Sequence, residues 1–488
     1  MYMMNRYQNE FHTITANDSN KVEVENAIEE IIEVIKNRLE QQYPTNIPCL
    51  YLAQFKAIKN WFKRYTSNSD STAIEKVRGY LEALHHICNL KIKEAAKLNL
   101  YIPVSINSST DTLVVSLQDY LLYKGLTAEL FEVIKEINSI INNFEVEDYD
   151  ILILEGKALS WSGLLGKACY IFEQVAAKLP QDSPLAIEAT ARLGIDQIRA
   201  GKYDSGLINI RLSMKMLKNQ ERNVLKTYLL GIKTDLIESL AFYNMMKCNF
   251  NKAFELYSTV VAIRKENKFF HKLSYPVGHQ GIVTRKLYTH PLSFSHIVLT
   301  KIFSYKFNIT DILSGKLLNL ILNEGYDKSI SYLKEAKSIA IENQGETAWL
   351  DHHLAISFLC KREISLAEDY NIAALNENKI KNFDKGIADC LDLMGFIYLY
   401  KNEADRAYSS FREALSIREA TQSIHGIVNS QLNLSIVEWN KRNYLNAVQE
   451  LFLSFYRYNK IGLLAPARVL RILTLFWMWT LGKRNWLM

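Results

Sequence analysis

Small side chains return at a nearly constant interval along this chain, and this recurrence constrains the fold more than any other feature of the sequence. The stretch GFIYLYKNEADRAYSSFREAL, residues 395–415, contains Ala407 between two segments of helical apolar periodicity. Matching stretches lie 40 residues later and 40 residues earlier, at Ala447 and Ala367. Further copies follow towards the N-terminus at steps of 38, 76, 47, 38 and 38 residues, centred on Ser329, Ala253, Gly206, Ala168 and Leu130.

A second small residue lies upstream in each copy, within a segment that predicts a helix. In the copy at 388–427, Leu391, Met394, Gly395 and Tyr398 have the spacing i, i+3, i+4 and i+7, which forms one stripe on a helix. The equivalent small residues elsewhere are Gly156, Gly194, Ala241, Ala355 and Ser435. Small residues allow two helices to cross at close range, with ridges packing into grooves. We therefore predict an all-α fold, an α-solenoid of stacked helix–turn–helix repeats preceded by an N-terminal helical region.

The pattern resembles the tetratricopeptide repeat (TPR), whose signature is a large apolar residue, Leu-Gly, Tyr, Ala, Phe and a terminal Pro. The copy at 388–427 matches in order at Leu391, Met394, Gly395, Tyr398, Ala407, Phe411 and Ala414. The copy at 149–186 matches at Leu152, Gly156, Ala168, Phe172 and Pro180. The resemblance covers residues 110–460, about three quarters of the chain, and it implies a groove that holds a partner protein.

A second resemblance concerns residues 50–140, which are similar to the helical arm that follows the nucleotide-binding module of STAND-type signalling ATPases. The segments FKAIKNWFKRY, VRGYLEALHHICNL and SLQDYLLYKGLTAELFEVI carry it. The ATPase motif is missing, because the nearest match, SGLLGKA at 162–168, has the wrong glycine spacing and an Ala in place of the Ser or Thr that holds Mg²⁺.

Composition supports a helical, cytoplasmic protein that does not bind nucleic acid. Only 19 Gly and 8 Pro occur in 488 residues, so helix breakers are rare. The net charge of +6 is spread along the chain, whereas a nucleic-acid binder usually carries a basic stripe. The six cysteines form no CxxC pair, which is typical of reduced thiols, and the N-terminus has no apolar signal segment.

These patterns predict the domain organisation of the chain. We expect a flexible tail at 1–18, an N-terminal helical region at 19–108, TPR-like repeats at 109–262, an irregular or degenerate repeat at 263–312, TPR-like repeats at 313–465 and an apolar helix at 466–488.

The C-terminal stretch ARVLRILTLFWMWTLGKRNWLM resembles the first helix of one more repeat, but it is apolar nearly all round. Its apolar run, ILTLFWMWTLG, is too short to span a bilayer, which needs about 20 apolar residues. Three interpretations stay open: a poor cap of the stack, a dimer contact, or a helix lying at a membrane surface. We favour packing of this segment together with self-association through 466–488.

No motif for catalysis, a metal or a cofactor occurs. GxSxG, HExxH and a Rossmann GxGxxG are all missing, and the histidine spacings do not suit zinc. We therefore predict a protein that is not an enzyme and that has no cofactor.

The repeat phase predicts which side chains line the groove. These are Trp161, Arg199, Phe242, Trp349, His352, Ile356, Asp389, Asp392, Phe396, Tyr400, Asn429, Ile436 and Asn440. Aromatic residues with a few polar groups suit a peptide or a partner helix. We predict a protein–protein interaction scaffold or regulatory adaptor; the alternative is a ligand- or peptide-responsive sensor or effector arm of a signalling or transcriptional regulatory system.

Two of these residues also indicate the charge of the partner. Repeat proteins that bind acidic tails place Lys, Arg and Asn on successive inner helices. Here Asp389 and Asp392 occupy such positions, so we expect the C-terminal half of the groove to repel an acidic tail and to accept a basic or mixed peptide.

Overall fold

The computed structural model describes residues 19–64, 71–107, 112–141, 148–219, 226–267, 269, 272–289, 316–342, 345–421 and 423–460. These ranges contain twenty helices and one two-stranded hairpin, which confirms the predicted all-α fold of TPR-like helix pairs. The predicted tail at 1–18 and the predicted helix at 466–488 lie outside the described residues.

Four helices form the N-terminal region: α1 (Ser19–Gln42), α2 (Cys49–Arg64), α3 (Ala73–Asn89) and α4 (Lys93–Leu100). Helix α3 begins at a reciprocal cap. The Thr72 hydroxyl accepts a hydrogen bond from the Glu75 backbone N–H at 3.4 Å, and the Glu75 carboxylate accepts one from the Thr72 N–H at 2.7 Å. This capping box satisfies two backbone donors that the helix itself leaves unpaired.

A short β-hairpin follows these helices, and the sequence analysis did not predict it. Strand β1 (Pro103–Asn107) pairs antiparallel with β2 (Thr112–Ser116), with Pro103 opposite Ser116. Val104 and Val115, which lie opposite each other in the hairpin, are both buried, as expected for two residues on the same face. The predicted boundary at residue 108 falls between the two strands.

The rest of the described chain consists of eight helix pairs, each made of a first and a second helix. In chain order the pairs are α5 (Leu117–Tyr123) with α6 (Thr127–Ile141), α7 (Tyr149–Trp161) with α8 (Leu165–Lys178), α9 (Pro184–Arg199) with α10 (Tyr203–Asn219), α11 (Lys226–Met246) with α12 (Phe250–Glu266), α13 (Ser274–Thr289) with α14 (Lys316–Glu342), α15 (Ala348–Cys360) with α16 (Ile364–Ile380), α17 (Asp384–Tyr400) with α18 (Ala404–Ala420) and α19 (Ile424–Asn440) with α20 (Tyr444–Lys460).

The recurring small residues occupy equivalent places in these pairs. In six of the pairs the small residue of the second helix lies twelve positions after that of the first helix and three positions after the second helix begins. The six are Ala168, Gly206, Ala253, Ala367, Ala407 and Ala447, and all are buried. The first-helix partners touch the second helix directly: a Cβ on Gly395 would lie 2.5 Å from Phe411 Cε1, and one on Gly194 would lie 2.9 Å from the Ile210 backbone nitrogen. Close approach of the two helices therefore depends on these positions.

The turn inside each pair is also regular. We call the residue on which each copy is centred (Leu130, Ala168, Gly206, Ala253, Ala367, Ala407 or Ala447) the second-helix reference position. In seven pairs the residue five positions before it adopts a left-handed conformation with positive φ. These residues are Gly125, Gly163, Gly201, Cys248, Arg362, Asn402 and Arg442. The next N–H donates to the carbonyl five residues earlier, as from Glu403 to Tyr398 at 2.9 Å. This is the Schellman arrangement that ends a helix.

The segment 263–312, predicted to be an irregular or degenerate repeat, contains a first helix. Helix α13 carries Gly281, where a Cβ would lie 2.9 Å from both the Ser329 carbonyl oxygen and Leu333 Cγ of α14. Gly281 and Ser329 are 48 positions apart instead of twelve, so this pair holds 36 extra residues between its packing positions. Residues 290–315 of this connection lie outside the described ranges.

The chain divides into two compact units. Unit 1 comprises residues 1–236 with 342–345, and unit 2 comprises 237–341 with 346–488. Each has its own buried apolar core, with Leu84, Ile87 and Tyr120 in unit 1 and Tyr257, Leu333 and Leu354 in unit 2. None of the described helices combines the length and the apolar character needed to cross a membrane.

We expect Gly395→Ala and Gly231→Ala to change stability in opposite directions. The added methyl group at Gly395 meets Phe411 and should cost about 1–3 kcal/mol of unfolding free energy through overpacking. Gly231, in α11, has nothing within 4 Å of an added Cβ, so alanine should stabilise that helix by about 0.5–1 kcal/mol. Urea unfolding followed by circular dichroism measures both; equal effects would contradict the close-packing account.

Candidate partner-binding face

One position of the first helices differs in character between the two units. It lies six residues before the small residue, and we call this set the minus-six row. In unit 1 the row consists of Asp150, Glu188 and Asp235; in unit 2 it consists of Tyr275, Trp349, Asp389 and Asn429. Consecutive first helices contact each other from α5 to α9 and from α13 to α19, and Arg192 of α9 pairs with Asp235 of α11, so the members of each row are neighbours.

In unit 1, every acidic side chain of the minus-six row forms an ion pair and is largely buried. The Lys97 Nζ of α4 lies 3.0 Å from Asp150 Oδ2, and the Lys157 Nζ of α7 lies 2.7 Å from Glu188 Oε1. Arg192 of α9 lies 3.3 Å from Asp235 of α11 in the same way. The three acidic side chains are at most 15% exposed.

The pKa of Glu188 shows how strongly the neighbouring cations stabilise its ionised form. Burial disfavours the ionised carboxylate, but Lys157 and Arg192 outweigh burial and lower the pKa of Glu188 to about 2. A buried carboxylate that already holds its partners has little capacity to bind another molecule.

The two predicted groove residues of unit 1 lie at the C-terminal ends of first helices. Arg199 donates to the Ser160 hydroxyl at 2.7 Å and to the Asp196 carboxylate at 3.0 Å. Trp161 is exposed at the last position of α7.

In unit 2 the minus-six row is open and begins with two aromatic residues. Tyr275 is 41% exposed, and its ring centroid lies 5.6 Å from that of Trp349. Trp349 packs over Gly278, where any side chain would collide with the indole. Because Gly278 has no side chain, the Trp349 indole can pack directly against helix α13.

Three histidines lie behind these aromatic rings. His279 packs between Tyr275 and Tyr257, with centroid distances of 4.0 and 5.1 Å, and its Nδ1 donates to the Tyr275 carbonyl at 3.0 Å. The ring centroids of His352 and His353 on α15 are 5.3 Å apart.

All three rings resist protonation. Burial lowers the pKa of His279 to about 4, with Lys286 and Lys385 adding to the effect. Burial likewise lowers the pKa of His352 and of His353, and Arg285 acts in the same direction on both.

The next members of this face are the two predicted aspartates of α17, and both bind the same arginine. Arg418 of α18 donates to the Asp392 carboxylate and, at 2.5 Å, to the Asp389 carboxylate. It also donates to the Ser430 hydroxyl at 2.6 Å and to the Gly426 carbonyl at 3.0 Å. The group therefore carries one net negative charge rather than two.

The two carboxylates differ in exposure and in pKa. Burial raises the pKa of Asp392 to about 6 in spite of Arg418. Burial also opposes ionisation of Asp389, but Arg418 and Lys385 outweigh it and lower its pKa. The Asp389 side chain remains 38% exposed, so it is the accessible member of the pair.

The remaining predicted residues lie on the same first helices with different accessibility. Trp349, His352, Ile356, Phe396, Tyr400, Asn429, Asn440 and Phe242 are partly buried. Asp392 and Ile436 are buried, and we leave both out of the proposed partner surface. Phe396 packs edge-on against Phe411 at 5.1 Å, and Asn440 donates to the Ile436 carbonyl at 2.7 Å.

Sequence reasoning did not include Tyr275 and His279 in this face, and it did not include Arg418 as the partner of the aspartates. A search for Gly281 as the small residue of a first helix would have placed Tyr275 six positions earlier, in the same row as Trp349. Among the described residues, no group of three or more His, Cys, Asp or Glu side chains is placed to hold a metal ion.

Comparison with known proteins gives structural likeness without sequence matches. No protein-family model and no curated protein sequence matches this chain. A STAND protein with a tetratricopeptide repeat sensor from Pyrococcus horikoshii is similar at 13% identity and a TM-score of 0.44. The similarity covers 92% of this chain, which spans 64% of that protein's length.

Two other similar structures are also helical-repeat proteins. RapI in its apo form has 12% identity and a TM-score of 0.44 over 64% of this chain and 98% of its own. The human IFIT1 dimer with PPP-AAAA has 13% identity and a TM-score of 0.37 over 93% of this chain and 99% of its own. Since all three TM-scores are below 0.5, the TPR-like architecture rests on the helix pairs themselves.

Acidification should destabilise unit 2 through the histidine group. The unfolded chain takes up a proton on a histidine near pH 6.5, whereas folded His279 resists protonation until about pH 4. Stability is therefore fully present above pH 6.5 and falls below it, by about 2 kcal/mol for His279 between pH 7 and 5. Asp392, whose pKa is raised, offsets part of this loss.

Urea unfolding at the two pH values measures this dependence. His279→Gln should remove about 2 kcal/mol of the loss between pH 7 and 5. An equal loss in the wild type and in this variant would show that His279 takes no part.

Loss of the shared arginine should destabilise unit 2 strongly. Arg418→Met leaves two carboxylates, one of them buried, without their cation and should cost about 3 kcal/mol of unfolding free energy. Arg412→Met, at an exposed position of the same helix, should stay within about 0.5 kcal/mol of the wild type. Thermal unfolding of both variants provides the comparison; similar costs would rule out the proposed role of Arg418.

Proposed function

We propose that this chain is a protein-binding scaffold or regulatory adaptor that holds a segment of a partner protein on the first helices of unit 2. The observation that carries the proposal is the contrast within the minus-six row. Three paired acids close this position in unit 1, whereas accessible aromatic, carboxylate and amide groups fill it in unit 2. A row of such groups on adjacent helices is suited to contact an extended peptide or a helix at several points.

The chemistry of the row indicates what kind of segment fits. Tyr275 and Trp349 provide a rigid aromatic surface, and such side chains dominate the binding energy of protein interfaces. Asp389 and Asn429, on the next two first helices, provide hydrogen-bonding groups. The segment would therefore carry an apolar or aromatic anchor, followed by polar side chains that donate hydrogen bonds.

The charge balance favours a mixed peptide over an acidic one. Asp389, Asp392 and Arg418 together carry one negative charge, and Lys385 lies close enough to affect the pKa of Asp389. An acidic tail would meet the accessible Asp389 carboxylate, and Arg418 is already shared between two carboxylates. A basic or neutral donor opposite Asp389 meets no such repulsion.

The cellular setting is part of the same proposal. We place this adaptor in the cytoplasm and in a signalling role, without enzymatic activity of its own. All six cysteines are free, which is compatible with a reducing compartment.

Selection of random displayed peptides on the full-length protein tests the proposal. We expect enriched peptides with an aromatic or aliphatic anchor, and we expect Tyr275→Ala and Tyr400→Ala to raise their Kd about tenfold or more. Tyr170→Ala, at an exposed aromatic residue on a second helix of unit 1, is the matched control and should leave Kd unchanged.

Two results would overturn the proposal. One is that no peptide with an aromatic or aliphatic anchor binds, or that Tyr275→Ala and Tyr400→Ala leave the Kd of the bound peptides unchanged. The other is tight binding of a single-stranded RNA probe that Tyr275→Ala abolishes, which would assign this face to nucleic acid.

A further inference from the structure

Helix α20 carries a row of exposed apolar side chains on one face. Leu445, Val448, Phe452 and Tyr456 follow one another at intervals of three, four and four residues, so they form one stripe. Leu445 is 88% exposed and Phe452 74%, and the other two are more than half exposed. We call these four residues the α20 stripe.

The preceding second helix shows what this position contains inside the stack. In α18 the residues 40 positions earlier are Asp405, Tyr408, Arg412 and Ser416. Helix α19 packs on α18, yet Asp405, Arg412 and Ser416 remain exposed. Within the stack, therefore, this position is polar and faces solvent.

The same comparison shows that another first helix would not cover the α20 stripe. A helix placed after α20 as α19 is placed after α18 would reach Leu445 and Val448 only beyond its C-terminal end, where Lys441 lies 2.8 Å from the Asp405 carboxylate and 5.0 Å from the ring centroid of Tyr408. Asp405 nevertheless remains 91% exposed, so such a helix would leave Leu445, Phe452 and Tyr456 largely in solvent. Continuing the repeat does not account for an apolar surface here.

We propose that the α20 stripe binds the same stripe of a second copy of this chain. The four side chains carry no charge, so two identical stripes meet without like-charge repulsion, as a two-fold interface requires. Phe452 lies in the interior of the stripe, and the two-fold axis passes close to it. This surface is on a second helix, and the inference does not depend on the proposed partner segment.

The size of the stripe predicts how strong the dimer is. Large apolar and aromatic side chains carry roughly 150–250 Å² each, so four that are half or more exposed offer on the order of 500 Å² per copy. Two copies would bury about 1,000 Å², the lower limit for a specific interface. The dimer is therefore weak and dissociates on dilution.

Sedimentation of the full-length protein over a range of concentrations tests this inference. The wild type should shift from monomer to dimer as concentration rises, and Phe452→Glu and Leu445→Glu should each remain monomeric. Arg412→Glu, at the equivalent position of α18, should dimerise like the wild type, and circular dichroism verifies that each variant is folded.

A crosslinking experiment locates the two-fold axis. In a background in which exposed Cys49 is replaced by serine, Phe452→Cys should give a covalent dimer on mild oxidation. Arg412→Cys in the same background should not.

The outcomes that overturn the inference are distinct from these. A wild type that is monomeric at every concentration excludes self-association. A dimer that survives Phe452→Glu but dissociates with Phe476→Glu would place the contact in 466–488 instead of on α20.

Discussion

Close contact between the two helices of each pair is the constraint on which the rest of the structure depends. Two helices approach this closely only where a side chain is nearly absent, as at Gly395 against Phe411 and at Gly194 against Ile210. The tight turn between them needs a left-handed residue five positions before the second-helix reference position. Only three of those seven residues are glycine, and Cys248, Arg362 and Arg442 adopt the conformation against their own preference. The packing of the pair must supply the energy that holds them there.

The same regularity explains why most of the fold could be predicted. Positions such as Ala168, Ala407 and Ala447 have a chemical requirement that repeats, so the interval is visible in the sequence and the buried position follows from it. The hairpin at 103–116 has no such recurrence, because it occurs once and its strands are only five residues long. Within 263–312, where an irregular or degenerate repeat was predicted, helix α13 could not be located for a related reason: its small residue, Gly281, lies 48 positions from its partner instead of twelve.

The candidate site was less predictable because periodicity identifies positions and not partners. The phase placed Asp389 and Asp392 on the first-helix face, but the arginine that binds them lies 29 and 26 residues further on, in a second helix. Asp389 and three acids of unit 1 occupy one equivalent position and all four pair with a cation, yet Asp389 remains 38% exposed whereas Asp150, Glu188 and Asp235 are at most 15% exposed. Whether a position in a row is a packing site or a surface for a partner depends on these unique pairs. These pairs differ from one repeat to the next, so they cannot be predicted from the repeat pattern.

A double-mutant cycle at Gly395 and Phe411 tests the central claim most directly. If the small residue matters because of this one contact, Gly395→Ala should lose most of its cost when Phe411 is shortened to leucine. The account predicts a coupling energy of about 1 kcal/mol or more between the two substitutions. Unfolding free energies that add within about 0.5 kcal/mol would show that the contact does not set the helix approach, and would contradict the account.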